Sequence, residues 1–177
     1  MRSFIVFFLI LWMATPIFSH SHPKDSTTVY IFMHNDCVIT QNYTLLLNQL
    51  HETYSNETLQ FVGIFPDFSS KPDQIEAFRK KYRIAFDLKT DYYKTLTKKY
   101  KATITPEVIV VRHRDEAILY RGRIDNMYYK VGRKRTITTT SELKDALEAI
   151  RNNQPITNPV TTAVGCFINF KRGPQAN

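Results

Sequence analysis

Residues Thr28–Met33, TVYIFM, are apolar on both faces, and the pattern changes period at Val38. A strand with no polar face is covered by protein on both sides. After a short polar loop, Ile39, Tyr43, Leu46, Leu47, Leu50 and Tyr54 recur at helical spacing. A central strand that runs through a loop into an amphipathic helix commits the chain to an α/β arrangement, with Cys37 at the junction between loop and helix.

The same alternation continues. LQFVGIF (59–65) reads as a second buried strand, closed by Pro66. A helix follows, for which Ser70 is the expected cap and Pro72 is tolerated in the first turn, with Ile75, Phe78 and Tyr82 as its apolar stripe. IAFDL (84–88) reads as a short edge strand, and Tyr93, Leu96 and Tyr100 mark a short helix. Glu107–Val111 is a strand with Pro106 at its entrance, where a missing N–H does least harm, and AILYRGRID pairs with it as a hairpin partner. Thr139 and Glu142 form a T-x-x-E capping box ahead of Leu143, Ala146, Leu147 and Ile150, which predicts a last helix ending near Arg151. NNQPITNPV is linker-like, and TTAVGCFINF is apolar enough to dock. The order strand, helix, strand, helix, strand, helix, strand, strand, helix predicts a mixed β-sheet flanked by helices.

At 177 residues, the chain has the length of one domain with a sizeable core, and an apolar share of 43% excludes disorder along the whole of it. Its start, MRSFIVFFLILWMATPIFSHSH, has a positive residue, a short apolar core and small residues at Ser19 and Ser21. That is the pattern of a secretory signal peptide, expected over residues 1–19, and the apolar run is shorter than the ~20 residues a spanning helix needs. Removing Arg2 lowers the formal charge from +8 to +7. Much of the excess lies between Arg112 and Arg135, which reads as a solvated basic hairpin or as a patch that steers an acidic partner. The export pattern argues against nucleic acid.

Cys37 and Cys166 are the only cysteines. A thiol at a helix N-terminus meets unpaired N–H groups and the positive end of the helix dipole, which lower its pKa. Thr40, one turn on, offers a hydroxyl to the sulfur, while Asp36 opposes a thiolate. The alternative is an inert Cys37 that only packs. Histidine gives little support for a metal: His34 precedes Cys37 by three, but a C-x-x-x-C motif would need cysteine where Gln41 stands, and His51 and His113 read as surface residues. Asn42-Tyr43-Thr44 and Asn56-Glu57-Thr58 are formal glycosylation sequons, the first within a predicted helix.

VYIFMHNDCVITQNYTLLLNQL resembles the active-site strand and helix of thioredoxin-like proteins, and more closely the redoxin branch with its AhpC/TSA and TlpA/ResA types. The resemblance continues through FVGIFPD, IEAFRKKYRIAFDLKTD and KATITPEVIVV, over about residues 27 to 125. It implies a thioredoxin-like domain over 20–153 and a tail, 154–177, docked on it. It implies that Cys37 is the attacking cysteine, that Pro106 is the cis-proline beside it, and that Thr105 before it contacts substrate. Thr40 stands where a resolving cysteine would be, so the C-x-x-C motif is reduced to C-x-x-T. A threonine cannot attack a mixed disulfide. Cys166 is left as a resolving thiol or as a packing residue, and reach alone permits a tail that ends near Cys37 or at the opposite edge of the sheet, with no bond between the two cysteines as the expectation for the resting monomer.

The implied function is an exported, periplasmic or extracellular thiol–disulfide oxidoreductase or peroxiredoxin-like antioxidant protein without a cofactor. Its partners would be protein or small-molecule thiols and disulfides, or peroxide, with an acidic or cytochrome-type redox partner and no membrane once the signal is cleaved. A catalytically inactive thioredoxin-fold binding module is the rival reading, and copper-chaperone-like metal binding a third. The peroxiredoxin motif P-x-x-x-[ST]-x-x-C is missing, because Tyr30 and His34 occupy its two other positions.

Overall fold

The computed structural model describes residues 26–170. The predicted signal peptide lies outside them. The chain runs β1 (Thr27–Phe32), α1 (Val38–Tyr54), β2 (Leu59–Phe65), α2 (Pro72–Tyr82), β3 (Asp87–Thr90), α3 (Thr95–Lys99), β4 (Ile104–Thr105), β5 (Glu107–Arg112), β6 (Ala117–Gly122), β7 (Tyr128–Lys130), β8 (Arg133–Lys134), α4 (Glu142–Arg151) and β9 (Cys166–Phe167). Five strands form the central sheet in the order β3-β2-β1-β5-β6. The β3-β2-β1 half is parallel, and β5 and β6 join antiparallel, so the sheet is mixed.

β1 lies at the centre and is covered on both faces. Val29, Ile31 and Met33 alternate onto one face, where they meet Leu47 of α1, Phe78 of α2 and Leu143 and Leu147 of α4. Phe32 points the other way, into a smaller cluster with Ile64, Ile109, Val111, Tyr100 and Ala102. On α1, Ile39, Tyr43, Leu47, Leu50 and Tyr54 are buried, and Leu46 is partly so. A buried Leu such as Leu47 is worth about 2–5 kcal/mol against alanine, so this stripe decides where α1 sits.

Two expected helix caps are corrected by side-chain hydrogen bonds, and a third helix starts later than its expected markers. α4 begins at Glu142 with Ser141 in the cap position, so there is no T-x-x-E box. Thr139 instead takes the Asn126 amide at 2.6 Å, and Glu142 faces Arg123 and Thr140. At α2 the cap residue is Lys71, whose N–H donates to the Gln74 side chain, while the Ser70 hydroxyl goes to Asn35 at 2.6 Å. α3 starts at Thr95 on the carboxylate of Asp91, which accepts from the N–H groups of Thr95 and Thr97 at 2.8 Å, and Tyr93 is exposed. Two expected surface histidines are partly buried. His51 lies against Phe61 and Phe86, and His113 contacts the Thr28 hydroxyl at 2.8 Å.

The segment expected to be a linker is pinned. Arg121 at the β6 edge donates its N–H to the Pro159 carbonyl and accepts from the Thr161 N–H, both at 2.8 Å. The Thr161 hydroxyl meets Tyr120 Oη at 2.8 Å and accepts from the Arg123 N–H at 3.1 Å. The chain leaves α4, passes along the β6 edge and is delivered to β4.

Candidate active site

Register explains how residues far apart in sequence meet. The last pair between β1 and β5 is Phe32 with Glu107, so Thr105 and Pro106 lie just beyond the end of β1, beside the loop that leads to Cys37. The Thr105–Pro106 bond is cis. Glu107 folds back to accept the Thr103 N–H at 3.0 Å and lies 3.8 Å from Arg121, which fixes the approach to β4.

The loop before α1 is clamped. Asn35 accepts from Gln41 through its carbonyl at 2.7 Å and from Ser70 through its side chain at 2.6 Å, and the Cys37 N–H donates to the His34 carbonyl at 3.1 Å. Cys37 occupies the N-cap position of α1 in an extended conformation. Asp36, the carboxylate expected to oppose a thiolate, is exposed and takes the Asn35 amide at 3.0 Å.

The tail completes the site. β9 pairs antiparallel with β4, Cys166 opposite Thr105 and Phe167 opposite Ile104. The Ile168 N–H donates to the Thr103 carbonyl at 2.9 Å. The Cys166 thiol donates to the Cys37 sulfur at 2.8 Å, and the two cysteines are unbonded. A disulfide needs ~2.05 Å between sulfurs, so under 1 Å of closure separates contact from bond. Of the two courses that reach left open, residues 166–168 therefore take the one beside Cys37. Pairing with β4, which the sequence shows only as two residues before a proline, directs them there.

Cys37 is 2% exposed, and Cys166 is partly exposed. Burial works to raise the Cys37 pKa, but it is outweighed by hydrogen bonding from the Cys166 thiol and from the backbone and hydroxyl of Thr40, so the net direction is down. For Cys166 burial, the hydrogen bond it gives and the charge on Cys37 all act upward. Of the two thiols, Cys37 is thus the one whose surroundings favour the charged form, and Cys166 the one whose surroundings oppose it. Thr40 is fully buried, and its hydroxyl has no hydrogen bond of regular geometry, which leaves it free to serve a negative sulfur. The Thr105 carbonyl, 3.2 Å from the Cys37 sulfur, accepts from that thiol when it is protonated.

Cys37, Thr40, Thr105, Pro106 and Cys166 are therefore gathered at one place. Sequence reasoning missed the supports around them. Tyr43, on the turn of α1 after Thr40, gives its hydroxyl to buried Asp125, and Asn42 donates to Tyr128 Oη at 2.5 Å. Burial and then Asp125 push the Tyr43 pKa up. The stretch RIDNMYY gives no periodic signal that would single out Asp125 or Tyr128. A cleft of about 860 Å³ opens at the other end of the sheet between Thr27, Arg112, Ile156 and Pro159, away from the cysteines. Among the described residues no group of three or more His, Cys, Asp or Glu side chains is arranged to hold a metal ion, and no helix is long and apolar enough to cross a membrane.

No protein-family model matches the sequence, and no curated protein matches it. Solved structures do. An uncharacterized conserved protein from Geobacillus kaustophilus superposes with a TM-score of 0.73 at 23% identity, over 85% of this chain and 80% of that one. A hypothetical protein from Sinorhizobium meliloti 1021 gives 0.72 at 22%, over 85% and 83%. A secreted Mycobacterium tuberculosis disulfide oxidoreductase gives 0.50 at 17%, over 72% and 84%. At these identities the likeness is one of fold, and the fold is the thioredoxin-like one expected from the sequence.

Proposed function

We propose that this thioredoxin-fold chain is an exported thiol–disulfide oxidoreductase in which Cys37 attacks and Cys166 resolves. The observation that carries the reading is the 2.8 Å contact between the two sulfurs, in surroundings that push the Cys37 pKa down and the Cys166 pKa up. An attacking thiol needs thiolate character, and a resolving thiol needs proximity.

The steps balance without a cofactor. The Cys37 thiolate attacks one sulfur of a substrate disulfide, so that a Cys37–substrate bond forms and the substrate's other sulfur leaves as a thiolate. Cys166 then loses its proton and attacks the Cys37 sulfur. The Cys37–Cys166 bond forms, the Cys37–substrate bond breaks, and the second substrate sulfur leaves with the electron pair. Two electrons pass from the protein dithiol to the substrate, and an external dithiol reverses the step in the protein. Thr40 stabilises the thiolate, and Thr105 and Pro106 bound the surface on which substrate lies. Peroxide is the second oxidant to which this pair would respond. Cys37 would become a sulfenic acid, and Cys166 would condense with it to give the disulfide and water.

Export is supported by the charged and apolar start of the chain, and a pair of cysteines that cycles through a disulfide suits an oxidising compartment. The fold is shared with a protein described as a secreted disulfide oxidoreductase.

The test is a mass measurement of the reduced protein under non-reducing conditions, before and after one equivalent of oxidised glutathione or of peroxide. The expected product has lost two hydrogens and yields a tryptic peptide that joins Cys37 to Cys166. A protein that stays a dithiol with both oxidants would overturn the reading in favour of a binding module.

A further inference from the structure

The Cys37 sulfur is enclosed, and the tail lies against it through Cys166. Sulfur exchange proceeds by a thiolate meeting the sulfur it attacks. Cys37 is 2% exposed, with Thr105 on one side and Cys166 on the other. An incoming sulfur has to stand where the Cys166 sulfur stands, and the chain that bears it has to lie where residues 165–168 lie.

The tail is held there in two ways. Its backbone is a strand on the edge of β4, through the pairing of Cys166 with Thr105 and the bond from Ile168 to Thr103. Backbone bonding of this kind accepts any extended segment. Two side-chain positions are selective. A Cβ on Gly165 would come within 2.9 Å of Ile104 Cγ2 and closer still to the Thr105 carbonyl. Gly165 is not among the residues with positive φ, so its glycine answers to space and not to backbone conformation. Ile168 is 8% exposed and packs in the cluster of Phe32, Ile109 and Val111 beneath the sheet. Phe167, between them, is 84% exposed and touches little.

With Thr105 of β4 already in the proposed substrate surface, we infer that Gly165–Ile168 is a resident copy of the substrate, which is therefore an extended cysteine-bearing polypeptide with glycine before the cysteine and an aliphatic residue two places after it. The inference rests on the redox reading above and names its substrate class. Tail and substrate exclude each other from one strand position. The tail must leave for Cys37 to attack, and its return both brings Cys166 to the mixed disulfide and displaces the peptide from β4. One movement thus resolves and releases.

The experiment uses the full chain with Cys166→Ser, which keeps the tail and removes its sulfur. The probes are octapeptides of the tail sequence, TAVGCFIN, whose cysteine carries 5-thio-2-nitrobenzoate. Attack by Cys37 forms the Cys37–peptide disulfide, breaks the bond to thionitrobenzoate and releases that coloured thiolate. Overpacking at a tight site and an aspartate in an apolar one each slow a step roughly tenfold or more. The tail-sequence peptide is therefore expected to react at least about tenfold faster than versions with valine before the cysteine or aspartate two places after it, whereas serine in place of the phenylalanine changes the rate less than about threefold. A second full-length variant, Gly165→Val with Cys166→Ser, unseats the resident tail and should raise all the rates while keeping their order. Equal rates for all peptides, with Cys37 still reactive toward 5,5′-dithiobis(2-nitrobenzoic acid), would overturn the substrate assignment alone. A Cys37 inert to reagent and peptides in both variants would overturn the redox reading with it.

Discussion

The two cysteines touch, yet they belong to regions built in opposite ways. Cys37 begins a 17-residue helix whose buried stripe is locked under the central sheet, and the loop before it is tied to Ser70 and Gln41. Cys166 begins a two-residue strand held by β4 and by one buried aliphatic side chain, Ile168. A long helix with a buried face moves only when the domain unfolds, whereas a short strand at an edge opens locally at much lower cost. Under the proposed mechanism the difference is a division of labour: the sulfur that would hold charge is fixed, and the sulfur that would arrive and depart is carried on a short edge segment.

Removing each sulfur in turn tests that division most strongly. Cys37→Ser is expected to lower disulfide exchange by at least about a thousandfold, the scale of losing a nucleophile. Cys166→Ser should leave the first attack and stop the second, so that the protein accumulates a stable adduct with glutathione, visible by mass. Turnover by Cys166→Ser at the rate of the unaltered protein would erase the distinction between the two regions.

Stability should divide along the same line. Leu47→Ala, beneath α1, is expected to cost about 2–5 kcal/mol in urea unfolding. Ile168→Ala should cost the whole domain less, below about 1.5 kcal/mol, because the tail detaches before the core is disturbed. The same substitution should speed iodoacetamide labelling of Cys37 roughly tenfold by raising the open population. A large loss of global stability with unchanged labelling would mean that the tail is part of the core.

Much of the fixed region was legible in the sequence and little of the movable one. TVYIFM and the stripe from Ile39 to Tyr54 announce strand and helix because burial on one face imposes a period. The tail carries no period. Its two-residue strand is defined by a partner some sixty residues away (Thr105 with Cys166, 61 apart), and backbone pairing leaves no trace in side-chain pattern. Gly165 was readable as a small residue before a cysteine, but the Thr105 carbonyl that requires it was not. The misplaced caps have a similar cause. Thr139 and Ser70 have the chemistry of capping residues, and tertiary partners, Asn126 and Asn35, claim their hydroxyls.

The smallest effect concerns charge, and it asks whether the two regions are electrically coupled as well as mechanically distinct. Buried surroundings alone would raise the Cys37 pKa, and the hydrogen bond from Cys166 is the foremost of the groups that bring it down. The thiolate is the species that alkylates, so the rate of labelling rises with pH through this pKa. In the intact protein the midpoint should lie below the free value of about 8.5. Cys166→Ala removes the donor and keeps most of the burial, so the midpoint should move up. Thr40→Val, which removes one hydroxyl and leaves the backbone N–H, should move it up by less. Both variants are read on the small fraction of open molecules, so rates must be compared by midpoint and not by amplitude. If Cys166→Ala leaves the midpoint where it was, the thiolate is held by α1 and Thr40 alone. The tail would then be a mechanical partner to Cys37, supplying the second sulfur but none of the stabilisation of the first.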